Sequence, residues 1–301
     1  MKILLLGKNG QVGWELQRSL APLGKLLALD AKSSDYCGDL ANLAGLADTL
    51  QSFAPEVIVN AAAYTAVDKA ESDAAQAMRV NAEAVAVLAD QAQKAGSLLV
   101  HYSTDYVFAG TGLKPWSETD ATAPLNQYGK SKLAGEQEII KSGCQHLIFR
   151  TSWVYASRGN NFAKTILRLA SERESLNVIN DQIGAPTGAD LLADVTAHAI
   201  RETLLNPKLS GLYHLAAQGE TSWYQYACFV LEQAQLAGKN LKVIASKVGT
   251  TTTNAYPTPA QRPANSRLCT DKVEHTFSLS LPAWQTGVSR MLTEVLENTH
   301  E

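Results

Sequence analysis

The 301-residue sequence has little cysteine, and what it has is scattered. Cys37, Cys144, Cys228 and Cys269 form no C-x-x-C pair, and none lies near a histidine at metal-ligand spacing. Such isolated cysteines read as small core residues in a reducing compartment. No apolar run approaches the length of a membrane span. The run in "MKILLLGKNG" covers only Ile3 to Leu6 before Gly7, so a signal peptide is not expected and a soluble cytoplasmic protein is. Nor is there an excess of one charge. A net charge of -3 gives no general attraction to a nucleic-acid polymer or an anionic membrane, and any anion site must be a local arrangement. The sequence also has no internal repeat and no low-complexity segment.

What is present is an alternation. Apolar residues make up 46% and charged residues 18%, as in ordinary soluble globular proteins. The length suits one large α/β domain, or a nucleotide-binding domain with a smaller partner. Short apolar runs at 2–6, 26–30, 57–63, 98–103 and 147–152 read as strands buried on both faces. Helix-length stretches lie between them near 11–22, 40–52, 73–95 and 127–141. Strand alternating with helix predicts a doubly wound parallel Rossmann-type sheet with right-handed crossovers. After residue 155 the pattern loosens, with strands expected at 176–180 and 211–216 and helices at 160–173, 188–204, 222–237 and 284–297. Residues 245–267, rich in Thr and Pro, read as a long functional loop. The division expected is 1–155 for dinucleotide binding and 156–301 mainly for substrate, with some segments returning to the first part.

Two stretches carry chemistry. "LLLGKNGQVGWEL" sets Gly7, Gly10 and Gly13 between the first strand and the first helix. Glycines there permit a tight turn and let the backbone approach a pyrophosphate, which the N–H groups of the helix start then face. Asp30, twenty positions after Gly10, ends the second strand, where a carboxylate can accept hydrogen bonds from a ribose and repel a 2′-phosphate. NADH is therefore favoured over NADPH, although Lys32 blunts the preference. The small residues Ala61 to Ala63 in "NAAAYT" would let a cofactor lie against the backbone, or simply pack a helix on the sheet. The second stretch is "HYSTDYVFAG", which ends the fourth strand with Ser103, Thr104 and Asp105 at the rim where ligands sit. In the "YGKSK" that follows, Tyr128 and Lys132 are four residues apart and share one helix face.

These motifs, with "STDYVF", "YGKSKLAGE", "RTSWVY", "GNNFAKT" and "DQIGAPT", resemble the extended short-chain dehydrogenase/reductase superfamily and, within it, the dTDP-4-dehydrorhamnose reductases. The resemblance runs nearly the full length. One departure is Leu6, where a threonine or serine often precedes the first glycine. The resemblance implies an NAD(P)H-dependent 4-ketoreductase of nucleotide sugars, making dTDP-L-rhamnose from dTDP-4-dehydro-L-rhamnose for cell-surface polysaccharide. Tyr128 would be the proton donor, with its pKa lowered by Lys132, and Thr104 would fix the carbonyl. Asp105, Trp153 and Arg262 would meet the substrate, Arg267 being the alternative to Arg262 for the pyrophosphate. Gln11, Val12, Asp39, Leu40, Ala63, Tyr64, Thr65 and Tyr102 join the glycines, Asp30, Tyr128 and Lys132 at the cofactor. A homodimer sharing Mg²⁺ would use Glu15, Asp190 and Glu294, which also read as ordinary surface acids. Two rivals remain open: another epimerase or dehydratase of the fold, and a cofactor-binding regulatory subunit without chemistry. Dehydratases carry a glutamate after the Thr-Asp pair, and here that position is Tyr106.

Overall fold

The computed structural model describes residues 1–297. The five predicted strands form in order: β1 (Lys2–Leu6), β2 (Lys25–Leu29), β3 (Val57–Asn60), β4 (Leu98–Thr104) and β5 (His146–Thr151). Each crossover places the next strand parallel to its neighbour. A sixth parallel strand, Gly211–His214, pairs with β5, and the order across the sheet is Gly211–His214, β5, β4, β3, β1, β2. The sheet is buried on both faces, which explains its unbroken apolar runs. Ile3 and Leu5 enter one core, and Leu4 and Leu6 enter the other.

The helices that cover the sheet are α1 (Gln11–Leu20), α2 (Leu43–Phe53), α3 (Val67–Ala70), α4 (Ala74–Met78), α5 (Ala84–Ala95) and α6 (Gln127–Ser142). Leu46, Leu50, Leu88 and Ile139 pack on the Leu4 face. The Ile3 face is closed by Leu16 and Leu20 together with Leu192, Ala199 and Ile200 from the later helix Ala189–Leu205. That helix is tied to α1 by Arg18 Nη2 and Ser19 Oγ, both donating to Asp194 Oδ1 at 2.8 and 2.6 Å. A third core lies among Phe162–Glu172, Trp223–Leu236 and Trp284–Glu297, around Ile166, Tyr226, Val230, Val288 and Leu292.

Four features differ from the sequence pattern. The strand read as 57–63 stops at Asn60, because Ala62 N–H turns back to donate to Asn60 Oδ1 at 3.2 Å. The helix read as 73–95 is interrupted by a π turn at Arg79–Glu83 between α4 and α5. The loop read as 245–267 contributes a strand, Gly249–Thr251, which pairs with Asn177–Ile179. The short helices α3 and Asp271–Phe277 were not expected, since one or two turns are too brief to show a period.

Candidate active site

β1 has β2 on one side and β3 on the other, so the crevice beyond their carboxyl ends is the topological switch point of the sheet. A cavity of about 500 Å³ opens there. Gly7, Gly10, Gln11 and Val12 line one end of it. Gly7 has φ of 89°, and a Cβ on it would lie 2.7 Å from Ala62 N. The glycine loop and the "NAAA" turn therefore touch through backbone, which accounts for small residues in both. Gly13 does not line the cavity. A Cβ there would lie 2.0 Å from Gly7 O, so this glycine lets α1 pack against the loop. No acidic side chain occupies the first turn of α1. A glycine-lined cradle of helix N–H groups of this kind suits a pyrophosphate.

Asp30 lies at the rim of the same cavity. Its carboxylate accepts from Asn9 Nδ2, from Lys32 N–H at 2.9 Å and from Ser33 Oγ at 3.1 Å. The backbone bond from Lys32 is the main cause holding it below the usual carboxylate range. Asp39, Leu40, Ala63 and Thr65 also line the cavity. Tyr64 does not; its hydroxyl donates to Asp73 Oδ2 at 3.1 Å on the outer side.

The other end is formed by Tyr102, Ser103, Tyr128, Lys132 and Thr151. α6 starts where Asn126 Oδ1 accepts from Gly129 N–H at 2.8 Å, an N-cap. Asn126 Nδ2 also reaches Gln261 O at 2.8 Å. Gly129, the second letter of "YGKSK", is required by packing, because a Cβ there would sit 2.2 Å from Tyr106 O. Ser131 Oγ accepts from Asn81 Nδ2 at 2.9 Å. Asn81 belongs to the π turn and also clamps Tyr64, accepting its N–H at 2.8 Å and donating to its carbonyl at 3.0 Å. The extra residue of a π turn is a frequent device at sites, and here it brings Asn81 to both segments.

Lys132 is buried, and Tyr128 is half-buried with one side on the cavity. Burial raises the Tyr128 phenol well above its ordinary value, and a hydrogen bond with Thr104 acts in the opposite direction. The expected lowering by Lys132 is not seen. The lysine is turned to Tyr102 O at 2.6 Å and to His101 Nε2 at 3.1 Å. Burial lowers Lys132 itself to about 8, with Glu136 acting against the fall. Glu136 is committed elsewhere, in a buried two-bond pair with Arg150 at 2.9 and 2.6 Å.

Asp105 follows Thr104 and is buried. Its Oδ1 accepts from Thr104 Oγ1 at 3.1 Å, while Oδ2 has no protein partner. Burial pushes this carboxyl up to about 7, against the hydroxyls of Ser266 and Thr104. Tyr106 meets the Tyr128 ring edge-on at 5.6 Å. Arg262 donates to the Tyr106 hydroxyl at 3.4 Å and to Asp68 Oδ2 at 2.8 Å. Arg267 is instead paired with Glu220 at 2.5 Å and faces a different cavity, beside Lys114 and Gln218. Trp153 holds φ of 48°, an unusual angle for a bulky residue, and stacks on Trp223 with centroids 3.6 Å apart. Gly184 of "DQIGAPT" makes room, since a Cβ there would lie 2.8 Å from the Trp153 ring.

Glu15, Asp190 and Glu294 do meet around one small pocket, but Arg290 lies among them. Its Nη1 is 3.2 Å from Asp190 Oδ2 and its Nε 4.0 Å from Glu294 Oε1. Glu15 is 3.6 Å from Arg18. The three acids are thus shared between two arginines, and among the described residues no three His, Cys, Asp or Glu side chains are grouped to hold a metal ion.

The family described as RmlD substrate binding domain matches residues 1–297. The chain belongs to this family. It is 60% identical over 299 residues to a dTDP-4-dehydrorhamnose reductase of Escherichia coli strain K12, covering 99% of each chain. A crystal structure of a dTDP-4-dehydrorhamnose reductase from Clostridium acetobutylicum superposes with a TM-score of 0.89 at 33% identity, covering 98% of this chain and 99% of that one. Another, from Bacillus anthracis in complex with NADP, has a TM-score of 0.86 at 34% identity, covering 97% and 99%. Among the described residues no helix is long and apolar enough to cross a membrane.

Proposed function

We propose that the chain is an NAD(P)H-dependent dTDP-4-dehydrorhamnose reductase, which reduces the C4 ketone of dTDP-4-dehydro-L-rhamnose to the alcohol of dTDP-L-rhamnose. The observation that supports this reading is a cavity lined at one end by Tyr128, which is hydrogen-bonded to Thr104, and by Lys132, and at the other by the glycine loop. The 60% identity to the Escherichia coli reductase supports it over nearly the full length. Bound in the cavity, a reduced nicotinamide dinucleotide would supply hydride to the ketone carbon. Gln11 and Val12 would hold its pyrophosphate by backbone N–H groups at the start of α1, with Gly7 and Gly10, whose own N–H groups bond Leu29 O and Gly7 O, letting the backbone come close, and Asp30 would hold its adenosine ribose. An anionic carboxylate at that rim favours NADH, while Lys8 and Lys32, which also act on Asp30, soften the preference.

Tyr128 gives its phenolic proton to the ketone oxygen. With its pKa raised, Tyr128 carries its proton at neutral pH, and the bond from Thr104, which acts against the rise, favours giving that proton up. Thr104, hydrogen-bonded to that phenol, positions the same oxygen. Asp105 Oδ2, a buried acceptor without a protein partner, receives a sugar hydroxyl. Trp153, stacked on Trp223, walls the sugar, and Arg262, held by Asp68 and Tyr106, meets the nucleotide phosphates. Tyr106 provides no carboxylate for the elimination that a dehydratase needs.

The test is the oxidation of NADH and NADPH with dTDP-4-dehydro-L-rhamnose, with the product identified by mass spectrometry. A gain of two mass units on the sugar nucleotide is expected. No turnover with either cofactor, or loss of water from a 6-hydroxylated sugar nucleotide, overturns the proposal.

A further inference from the structure

Behind Lys132, on the side away from the cavity, lies a second buried polar chain. Asn60 ends β3 and His101 lies opposite it in register on β4. Asn60, His101 and Lys132 are all buried. Asn60 Nδ2 is 3.2 Å from His101 Nδ1, and His101 Nε2 is 3.1 Å from Lys132 Nζ. Both faces of one imidazole are thus used up, and its protons can be counted.

Ala62 N–H donates to Asn60 Oδ1 at 3.2 Å, which turns the amide nitrogen toward His101. An amide nitrogen only donates, so His101 Nδ1 accepts and a neutral ring carries its proton on Nε2. That N–H points at Lys132 Nζ. Against an ammonium it would be donor facing donor; against an amine it is a hydrogen bond. Lys132 would then donate to Tyr102 O at 2.6 Å. To hold an ammonium instead, the ring must carry its proton on Nδ1. The Asn60 amide must then turn over and give up the Ala62 N–H. A charged ring is disfavoured by burial and by Lys132 itself.

The geometry points to Asn60 and His101 as positioning residues that, through the choice of imidazole tautomer, set whether Lys132 stands in the site as an amine or an ammonium. The remaining groups facing Lys132 are Tyr102 on β4, and Tyr128 and Glu136 on its own helix. Glu136 is neutralised by Arg150 of β5. The assignment rests on the reductase reading only in taking Lys132 as part of the active site.

The experiment follows His101 by ¹⁵N NMR in histidine-labelled protein, with the resonance assigned by its loss in His101→Gln. In the wild type, the ring should change from the Nε2–H to the Nδ1–H form as pH falls through about 8, where Lys132 gains its proton. Asn60→Asp keeps the shape but only accepts, so the Nδ1–H form should persist at every pH. The alkaline limb of kcat/KM should then rise by at least about one pH unit, a tenfold gain in proton affinity. A double variant, Asn60→Asp with His101→Leu, should return the limb to its place in His101→Leu alone. A wild-type ring fixed in one tautomer through the fall in activity overturns the inference. So does a double variant that keeps the shift, because charge alone then explains it. Should Asn60→Asp fail to fold, the wild-type titration still decides. Lys132→Met separates the two readings: if it keeps both turnover and the limb, the catalytic assignment of Lys132 fails, while the tautomer measurement needs no turnover.

Discussion

The two ends of the cavity are built in opposite ways. At the glycine-loop end the working groups are backbone N–H donors, and the rim carboxylate, Asp30, is half-exposed and already hydrogen-bonded three times. At the Tyr128 end the working groups are side chains that are buried, as Asp105 and Lys132 are, or half-buried, as Tyr128 is, and each is displaced: Tyr128 upward, Asp105 to about 7, Lys132 down to about 8. Binding an anion by backbone costs the fold little. Holding an acid, a base and a lysine out of water makes their protonation depend on neighbours. Substitutions at the enclosed end should therefore change rate and stability far more than those at the open end.

The largest effect should come from Tyr128→Phe. The ring and its contact with Tyr106 survive, and only the hydroxyl is lost. Loss of a general acid costs about 10²–10⁴ in rate. Steady-state kcat with a melting curve measures it. A variant with more than about a tenth of wild-type kcat, well above that range, would show that the Tyr128 phenol is not the acid.

Asp105→Asn should come next, and its sign is the unusual part. An acid raised from 3.8 to about 7 by burial binds more protons folded than unfolded between those values. Its contribution is most favourable below the unfolded pKa and is lost as pH rises toward 7. Asparagine mimics the protonated acid without titrating. The variant should therefore gain stability over the wild type at pH 8, by up to about 4 kcal/mol, and almost none at pH 3. Activity should fall in the same variant, because the acceptor offered to the sugar is gone. Denaturation midpoints at the two pH values test this. An equal change at both would mean that Asp105 is not a strained acid kept for function.

Sequence reading reached the two ends unequally as well. The glycine loop, Asp30 and "YGKSK" are each local, so spacing alone placed their residues on one loop or one helix face. Five of the six parallel strands followed from apolar runs, because the middle of the sheet is buried on both faces, whereas Gly211–His214 was legible as a strand but not as part of that sheet. The links that complete the enclosed end join residues far apart in the chain: His101 to Asn60 across 41 positions, Ser131 to Asn81 across 50, Arg262 to Asp68 across 194. No periodicity signals such pairs. The one clue at His101 was a histidine directly after the apolar run Leu98–Val100. Trp153 resembled a pocket wall from its motif, but its partner Trp223 lies on a helix that gave no sign of it. The expected lowering of Tyr128 by Lys132 assumed that four residues apart on a helix means contact, whereas the lysine turns to β4.

A smaller effect at the site comes from the cap of α6. Asn126→Ala removes the bond to Gly129 N–H, and with it the tie to Gln261 O. Loss of an N-cap costs about 1 kcal/mol. Since the first turn of α6 carries Tyr128, kcat should drop a few-fold while cofactor affinity stays within about twofold, as befits a change remote from the glycine loop. Equal losses in both would mean that α6 unwinds as a unit.

Asp30→Ala at the open end should give the least. Asp30 shapes its turn through Lys32 N–H and Ser33, so its removal loosens that rim as well as deleting the charge. The first consequence lowers affinity for NADH and NADPH alike; the second helps only NADPH, whose 2′-phosphate no longer meets a carboxylate. A charge at the solvent rim is screened and contributes little. The NADH-to-NADPH ratio of Kd should thus move by only about fivefold at most toward NADPH, and less at high salt. Lys8 and Lys32, both acting on Asp30, would then be free to attract the phosphate. Isothermal titrations with both cofactors at two ionic strengths measure it. A ratio that does not move at low salt would take Asp30 out of the ribose site and leave it as a turn-forming residue, with the contrast between the two ends sharper still.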